Sequence, residues 1–286
     1  MKLALVPMKD LLEKARAGKY AVPAFDVSNL EFVRAVAEVA EEMRSPVICM
    51  VVPPDAEAAM PYLVSLVRTA AGQVSVPVAL HLDHSPSFEL CQQAVDAGFS
   101  SVMIDGSSLP YAENVALTKK VVAYARPKGV TIEAELGHVG KAEVYAGEGE
   151  DEGHLTDPAD VDRFVADTAV DALAVAIGTA HGIYTAAPKL DIPRLQAINA
   201  VSKVPLVLHG GSGTPDEQVK DAIAHGIAKL NIFSELCVAL VDGLKEFLAT
   251  NERRAPWPMY IYEKPLDLMK DVVRRKIDLC GSAGKA

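Results

Sequence analysis

Eight times along this chain a short apolar run ends at a polar residue or a glycine and gives way to a stretch of helical period. The runs occupy residues 20–25, 46–52, 77–82, 101–104, 130–136, 172–177, 204–208 and 228–232. They are apolar nearly throughout rather than alternating, which suits parallel strands covered on both faces. Helices are expected at 8–18 ahead of the first run, and between runs at 30–44, 60–71, 86–97, 110–125, from about 156, 192–201 and 216–225. Two more, at 234–249 and 265–279, close the chain. Eight units in 286 residues, with no linker or shift in composition, predict one α/β domain over 1–286, a (β/α)8 TIM barrel with extra N-terminal and C-terminal helices. An open doubly wound sheet is the alternative that periodicity leaves standing.

If the barrel closes, the polar residues at the strand ends meet on its C-terminal rim, where barrel active sites lie. Asp83 and His84 end the third strand, Asp105 the fourth and Glu135 the fifth. His181 follows the sixth, His209 ends the seventh and Asn231 the eighth. Three imidazoles, His84, His181 and His209, with an open position make a common set of ligands for catalytic zinc. Such a site polarises a carbonyl or activates water. Asp83 either orients that site or is its acid/base group. His81, His138, His154 and His225 are weaker candidates, although His138 and His154 flank the long loop and are competing ligands. Glu133 and Glu135 alternate on one strand and face the same way, so a barrel interior would have to supply them with a cation or hydrogen-bond donors.

The seventh run leads into Gly210-Gly-Ser-Gly213 and then Thr214-Pro215-Asp216, a helix-start signal. A glycine-rich turn before a helix presents backbone N–H groups to a phosphate. Barrels often hold phosphate between this loop and the one after strand eight, here Asn231 to Ser234. A net charge of -10 argues against nucleic acid as a partner. The apolar runs fall short of the ~20 residues that span a bilayer, and 1–7 is too short and too soon followed by charge for a signal peptide. The four cysteines are scattered, without a CxxC pair, as reduced structural thiols of a cytoplasmic protein.

Taken together, Val22-Pro-Ala-Phe25, His81-Leu-Asp-His84, Ile104-Asp-Gly-Ser107, Glu133-Ala-Glu-Leu-Gly137, 174–182, Leu208-His-Gly-Gly-Ser212 and 229–235 resemble the class II, zinc-dependent ketose-bisphosphate aldolases. The tagatose- and fructose-bisphosphate branch is nearest in length and texture. The resemblance implies Zn2+ on His84, His181 and His209, with Asp105 and Glu135 at an alternative metal position. It makes Asp83 the acid/base group at the aldehyde oxygen, and Glu143 the carboxylate that moves the proton at the nucleophilic carbon. Gly182, Gly210, Gly211, Ser212, Asn231 and Ser234 would hold dihydroxyacetone phosphate. The implied partner is a sugar phosphate, and the implied assembly a homo-oligomer, dimer or tetramer.

The chain departs from the family pattern mainly at the opposite end of the substrate. Asp26 stands where Asn is common, and Ser85 where His or Gly is usual. Cys237 replaces a common Arg or Lys that meets the distal phosphate. Phe233 replaces a smaller or acidic residue, and Val51-Val-Pro-Pro54 lacks the usual hydroxyls. These changes predict an aldehyde with another terminus: unphosphorylated, deoxy or sulfonated. Three rival chemistries use the same rim: a Schiff-base aldolase through Lys229, a zinc hydrolase, and a non-catalytic sugar-phosphate-binding subunit.

Overall fold

The structure, a computed structural model, describes residues 5–141, 153–182, 184 and 187–286. Eight strands close into a parallel barrel. In chain order they are β1 (Val22–Asp26), β2 (Val47–Val51), β3 (Val78–Ser85), β4 (Ser101–Ile104), β5 (Thr131–Leu136), β7 (Ala172–Val175), β9 (Leu206–Leu208) and β10 (Ile227–Ile232). Closure comes from β1 pairing with β10, Ala24 lying opposite Asn231. Two short strands, β6 (Gly140–Lys141) and β8 (Ala180–His181), pair with each other above the barrel.

The period-two alternation of each strand sorts its side chains. Outward residues such as Leu80, Leu82, Ile132, Leu206 and Leu230 join the layer beneath the surrounding helices. Inward residues change character with height. At the N-terminal end Val22, Ile48, Ala79, Ala172 and Val207 form an apolar plug with α1 (Met8–Gly18), which inserts Met8, Leu11, Leu12 and Ala15. Further up, the lumen turns polar with His81, Glu133 and Lys229, all fully buried. One end of the barrel is therefore sealed by apolar packing, while polar side chains gather towards the other.

Most helices begin where their capping residues predict. Asn29 caps α2 (Leu30–Met43) by accepting from the Phe32 amide at 3.1 Å. Two start earlier than expected. α3 runs Pro53–Ala71 rather than from residue 60, with a break at Ala59 (φ −146°) just before Pro61. α10 runs Pro258–Cys280 with Pro265 inside it. In both cases a proline that reads as a helix start lies within the element, and an earlier proline takes the first position, where its missing N–H costs nothing. α9 (Ser234–Thr250) and α10 cross closely at Gly243, where a Cβ would lie 2.6 Å from Pro265 Cα.

Candidate active site

The C-terminal mouth of the barrel opens a cavity of about 420 Å3, lined among others by Asp26, Asp83, His84, Asp105, His181, Gly210 and Asn231. The neighbours Asp83 and His84 both reach it, which a regular strand forbids. The backbone resolves this locally. His84 sits in the left-handed region at φ 46°, and the β3–β4 register slips between Leu82 and Ser85. A non-glycine residue there is strained, and the strain turns the imidazole over the mouth.

The three candidate histidines come together, with potential ligand atoms within 4.8 Å of one another. His84 Nε2 is 2.7 Å from His209 Nδ1, and His181 Nε2 is buried without a hydrogen-bond partner. The rear nitrogens of two rings are held by carboxylates: His84 Nδ1 lies 2.8 Å from Asp105 Oδ2, and His209 Nε2 lies 2.9 Å from Glu133 Oε1. Carboxylate backing of this kind fixes ring orientation in metal sites. Burial opposes a charge on His84, but Asp83 and Asp105 override it and hold its pKa up to about 10. Burial, with the His84 charge beside it, pushes His181 down to about 3.

Beneath the histidines lies a cation for one of the two inward glutamates. Lys229 Nζ meets Glu133 Oε2 at 2.9 Å, both side chains fully buried. Burial alone would raise the Glu133 pKa, yet Lys229 and His209 hold it near about 2. Lys229 is thus an ion-pair partner rather than a free amine. Glu135 has no such cation. One oxygen accepts from the Val139 amide at 2.9 Å and the other has no partner. Burial and the neighbouring Asp105 push its pKa up to about 8. Asp105, Glu135 and His84 form a second cluster of ligand type. Asp83 stays ionised: burial works against this, but His84 and Lys229 hold its pKa well below the usual carboxylate range. It accepts two hydrogen bonds from Asn231 Nδ2, at 3.1 and 3.2 Å.

The glycine turn adjoins this cluster. Gly210 has φ 68°, and a Cβ there would lie 2.4 Å from Ala180 O. The Ser212 hydroxyl accepts from the Phe233 amide at 3.1 Å, at the N-terminus of α9. Gly182, Gly211, Ser212, Asn231 and Ser234 all line the cavity. Two supports were not foreseen. The Tyr184 hydroxyl accepts from the Ala180 amide at 2.8 Å and donates to Gly210 O at 3.1 Å, joining the His181 loop to the turn. Lys276, on α10, pairs with Glu235 at 2.5 Å and donates to Gly211 O at 3.3 Å. A sequence signal for Lys276 existed, since it interrupts the apolar face of Val272, Val273, Ile277 and Cys280. Tyr184 left none.

His138 and His154 pair as an isolated antiparallel bridge, and His138 Nδ1 lies 2.7 Å from the Ser107 hydroxyl. They frame the long loop but stand outside the histidine cluster. Glu143 lies outside the described residues. Of the departures, Asp26, Val52 and Phe233 line the cavity. Ser85 instead turns its hydroxyl to Ser87 O at 3.0 Å.

A closed barrel that gathers histidines, buried carboxylates and a glycine turn on one rim has the architecture of a barrel enzyme. Residues 6–285 match the sequence profile described as fructose-bisphosphate aldolase class-II, and the chain belongs to that family. It is accordingly an aldolase, a lyase of carbon–carbon bonds. The crystal structure of the YdjI aldolase from Escherichia coli K12 is similar, at 35% identity and TM-score 0.87 over 99% of each chain. So is a putative fructose-1,6-biphosphate aldolase from Coccidioides immitis, at 34% identity and TM-score 0.86 over 96% of each chain. Fructose-bisphosphate aldolase from Campylobacter jejuni, at 22% identity, shares the fold with TM-score 0.85 over 100% of this chain and 98% of its own.

Proposed function

We propose that the enzyme reversibly cleaves a ketose 1-phosphate or ketose 1,6-bisphosphate into dihydroxyacetone phosphate and an aldehyde, with a zinc ion on His84, His181 and His209. The observation that carries this reading is the triad itself. Its ring nitrogens face one another, two rings are braced from behind by Asp105 and Glu133, and His181 Nε2 is an orphaned buried atom. A divalent metal would give that atom the partner it lacks. When bound, the metal supplies Lewis acidity to the carbonyl and hydroxyl oxygens of the substrate.

The remaining chemistry belongs to the chain. In cleavage the C4 hydroxyl proton passes to Asp83, the C3–C4 bond breaks, and the C4 fragment leaves as aldehyde. The electron pair stays at C3, which then takes a proton; Glu143 is assigned to that transfer. Asn231 anchors the Asp83 carboxylate, which is already ionised and so ready to accept. Gly182, Gly210, Gly211, Ser212 and Ser234 are assigned to the phosphate, held by backbone N–H groups and by the N-terminus of the 17-residue helix α9. Asp105 and Glu135 are assigned to an alternative metal position next to His84. At the other end, Val52 and Phe233 favour an aldehyde that is unphosphorylated, deoxy or sulfonated. Exposed Leu248, Trp257, Met259 and Tyr260 on and beside α9 and α10 support a homo-oligomer, which a solution mass from light scattering tests.

The donor half can be tested without an aldehyde. Dihydroxyacetone phosphate incubated with enzyme in deuterated water should exchange a C3 proton. Chelation should stop the exchange and zinc restore it. Asp83→Asn should retain zinc yet lose about 10²–10⁴-fold in cleavage rate. Exchange that survives complete chelation, or full cleavage by the Asp83 variant, would refute the assignment.

A further inference from the structure

We infer that Asp26 makes the acceptor end of the cavity a subsite for an uncharged, hydroxyl-bearing terminus rather than for a phosphate or sulfonate. This rests on the donor assignment above and narrows its three candidate aldehydes to one class.

Asp26 is the last residue of β1, next to β10 and β2 in the barrel. Its side chain lines the cavity, the residue is 4% exposed, and Oδ1 has no hydrogen-bond partner. A buried acceptor left unpaired is costly unless a ligand supplies the donor. A substrate hydroxyl does so. A terminal methyl does not, and it would leave both the carboxyl and its own methyl poorly matched. Sites built to meet a hydroxyl discriminate strongly against analogues that lack it.

The surroundings offer an anion little. Burial and the neighbouring Asp83 and Asp55 push the Asp26 carboxyl well above the usual carboxylate range, against the pull of His84 and Lys229. Among the described residues lining the cavity there is no Lys or Arg. Of the two cationic groups within electrostatic reach of Asp26, Lys229 is committed to Glu133 at 2.9 Å and His84 is held by Asp105 at 2.8 Å. Cys237, within electrostatic reach of Asp26, is a thiol that burial pushes up to about 11. A phosphate or sulfonate at this end would be desolvated without a lysine or arginine to neutralise it among the described lining residues. The walls beside Asp26, namely Val52, Ile232 and Phe233, offer apolar surface to a carbon chain and no polar side chain for an anion.

The experiment is a series of ketose 1-phosphates that differ only at C6: hydroxyl, hydrogen, phosphate, sulfonate and ammonium. The hydroxyl form should exceed each of the others in kcat/KM by about ten-fold or more. Asp26→Asn keeps an acceptor, so the hydroxyl form should stay above hydrogen. Asp26→Leu removes the acceptor, so the hydroxyl and 6-deoxy forms should converge. A wild-type enzyme that prefers phosphate, sulfonate, methyl or ammonium overturns the inference, as does a hydroxyl-to-hydrogen ratio that Asp26→Leu leaves unchanged. The proton exchange of dihydroxyacetone phosphate separates the two failures. If wild-type exchange is absent, the donor assignment falls; if it is present and the C6 profile is wrong, the role of Asp26 alone falls.

Discussion

Glu133 is the residue through which the interior and the rim communicate. One oxygen meets Lys229, the other His209, and neither is accessible to water. Replacing it by Gln leaves Lys229 buried without a counter-charge and offers His209 an amide in place of a carboxylate. Glu133→Gln should therefore cost about 3–5 kcal/mol of stability by denaturant unfolding and about 10–100-fold in zinc affinity by competition with a chromophoric chelator. Unchanged affinity in a folded variant would mean that the carboxylate does not orient the ring. Part of this was legible: the spacing of Glu133 and Glu135 put both on one face, and a barrel interior there called for a cation or hydrogen-bond donors. The identity of the partner was not, because strand β10 lies 96 residues from Glu133 in the chain. The left-handed turn at His84 was equally hidden. No local pattern marks a histidine whose backbone is held off the strand by its tertiary surroundings.

Among the elements, the turn after β9 ties together the most parts of the rim. It touches the His181 loop, the end of β10 and, through Lys276, helix α10. Gly210→Ala would put a Cβ at φ 68° and 2.4 Å from Ala180 O, a backbone atom that cannot swing aside. The variant should lose about 1–3 kcal/mol in thermal unfolding, and its KM for dihydroxyacetone phosphate should rise more than its kcat falls. A normal KM would detach this turn from the phosphate. The run of glycines was visible in the sequence together with its place at a strand end. Strands β6 and β8 were not visible, being two residues each and too short to show any period. The starts of α3 and α10 were misplaced for a related reason: a proline can open a helix or sit within one, and only packing chooses.

At the scale of the whole molecule, folding and metal binding share the same protons. In the metal-free chain His84 holds its proton up to about pH 10, whereas burial has already stripped His181 and lowered His209. A metal on His84 must displace that proton, so affinity should rise with pH, by about ten-fold per unit below the His84 pKa. His181, pushed down to about 3, adds no slope over the same window, and burial lowers His209 in the same direction. Zinc titrations between about pH 6.5 and 8.5 read this directly, and a flat profile would contradict it. Metal at 100 times its Kd should stabilise the fold by about 2.7 kcal/mol. Closure of the barrel was the one global feature that periodicity could not decide, since eight strand–helix units can also lie open. Pairing of β1 with β10 decides it, and with it the meeting of all the strand ends.

The α1 plug, described above as packing, also governs traffic. With Met8, Leu11 and Leu12 filling the lumen from below, the barrel is a well with a single mouth. Two fragments made in a well cannot leave through opposite doors, so depth becomes sequence in time. Whichever fragment lies nearer the floor departs last.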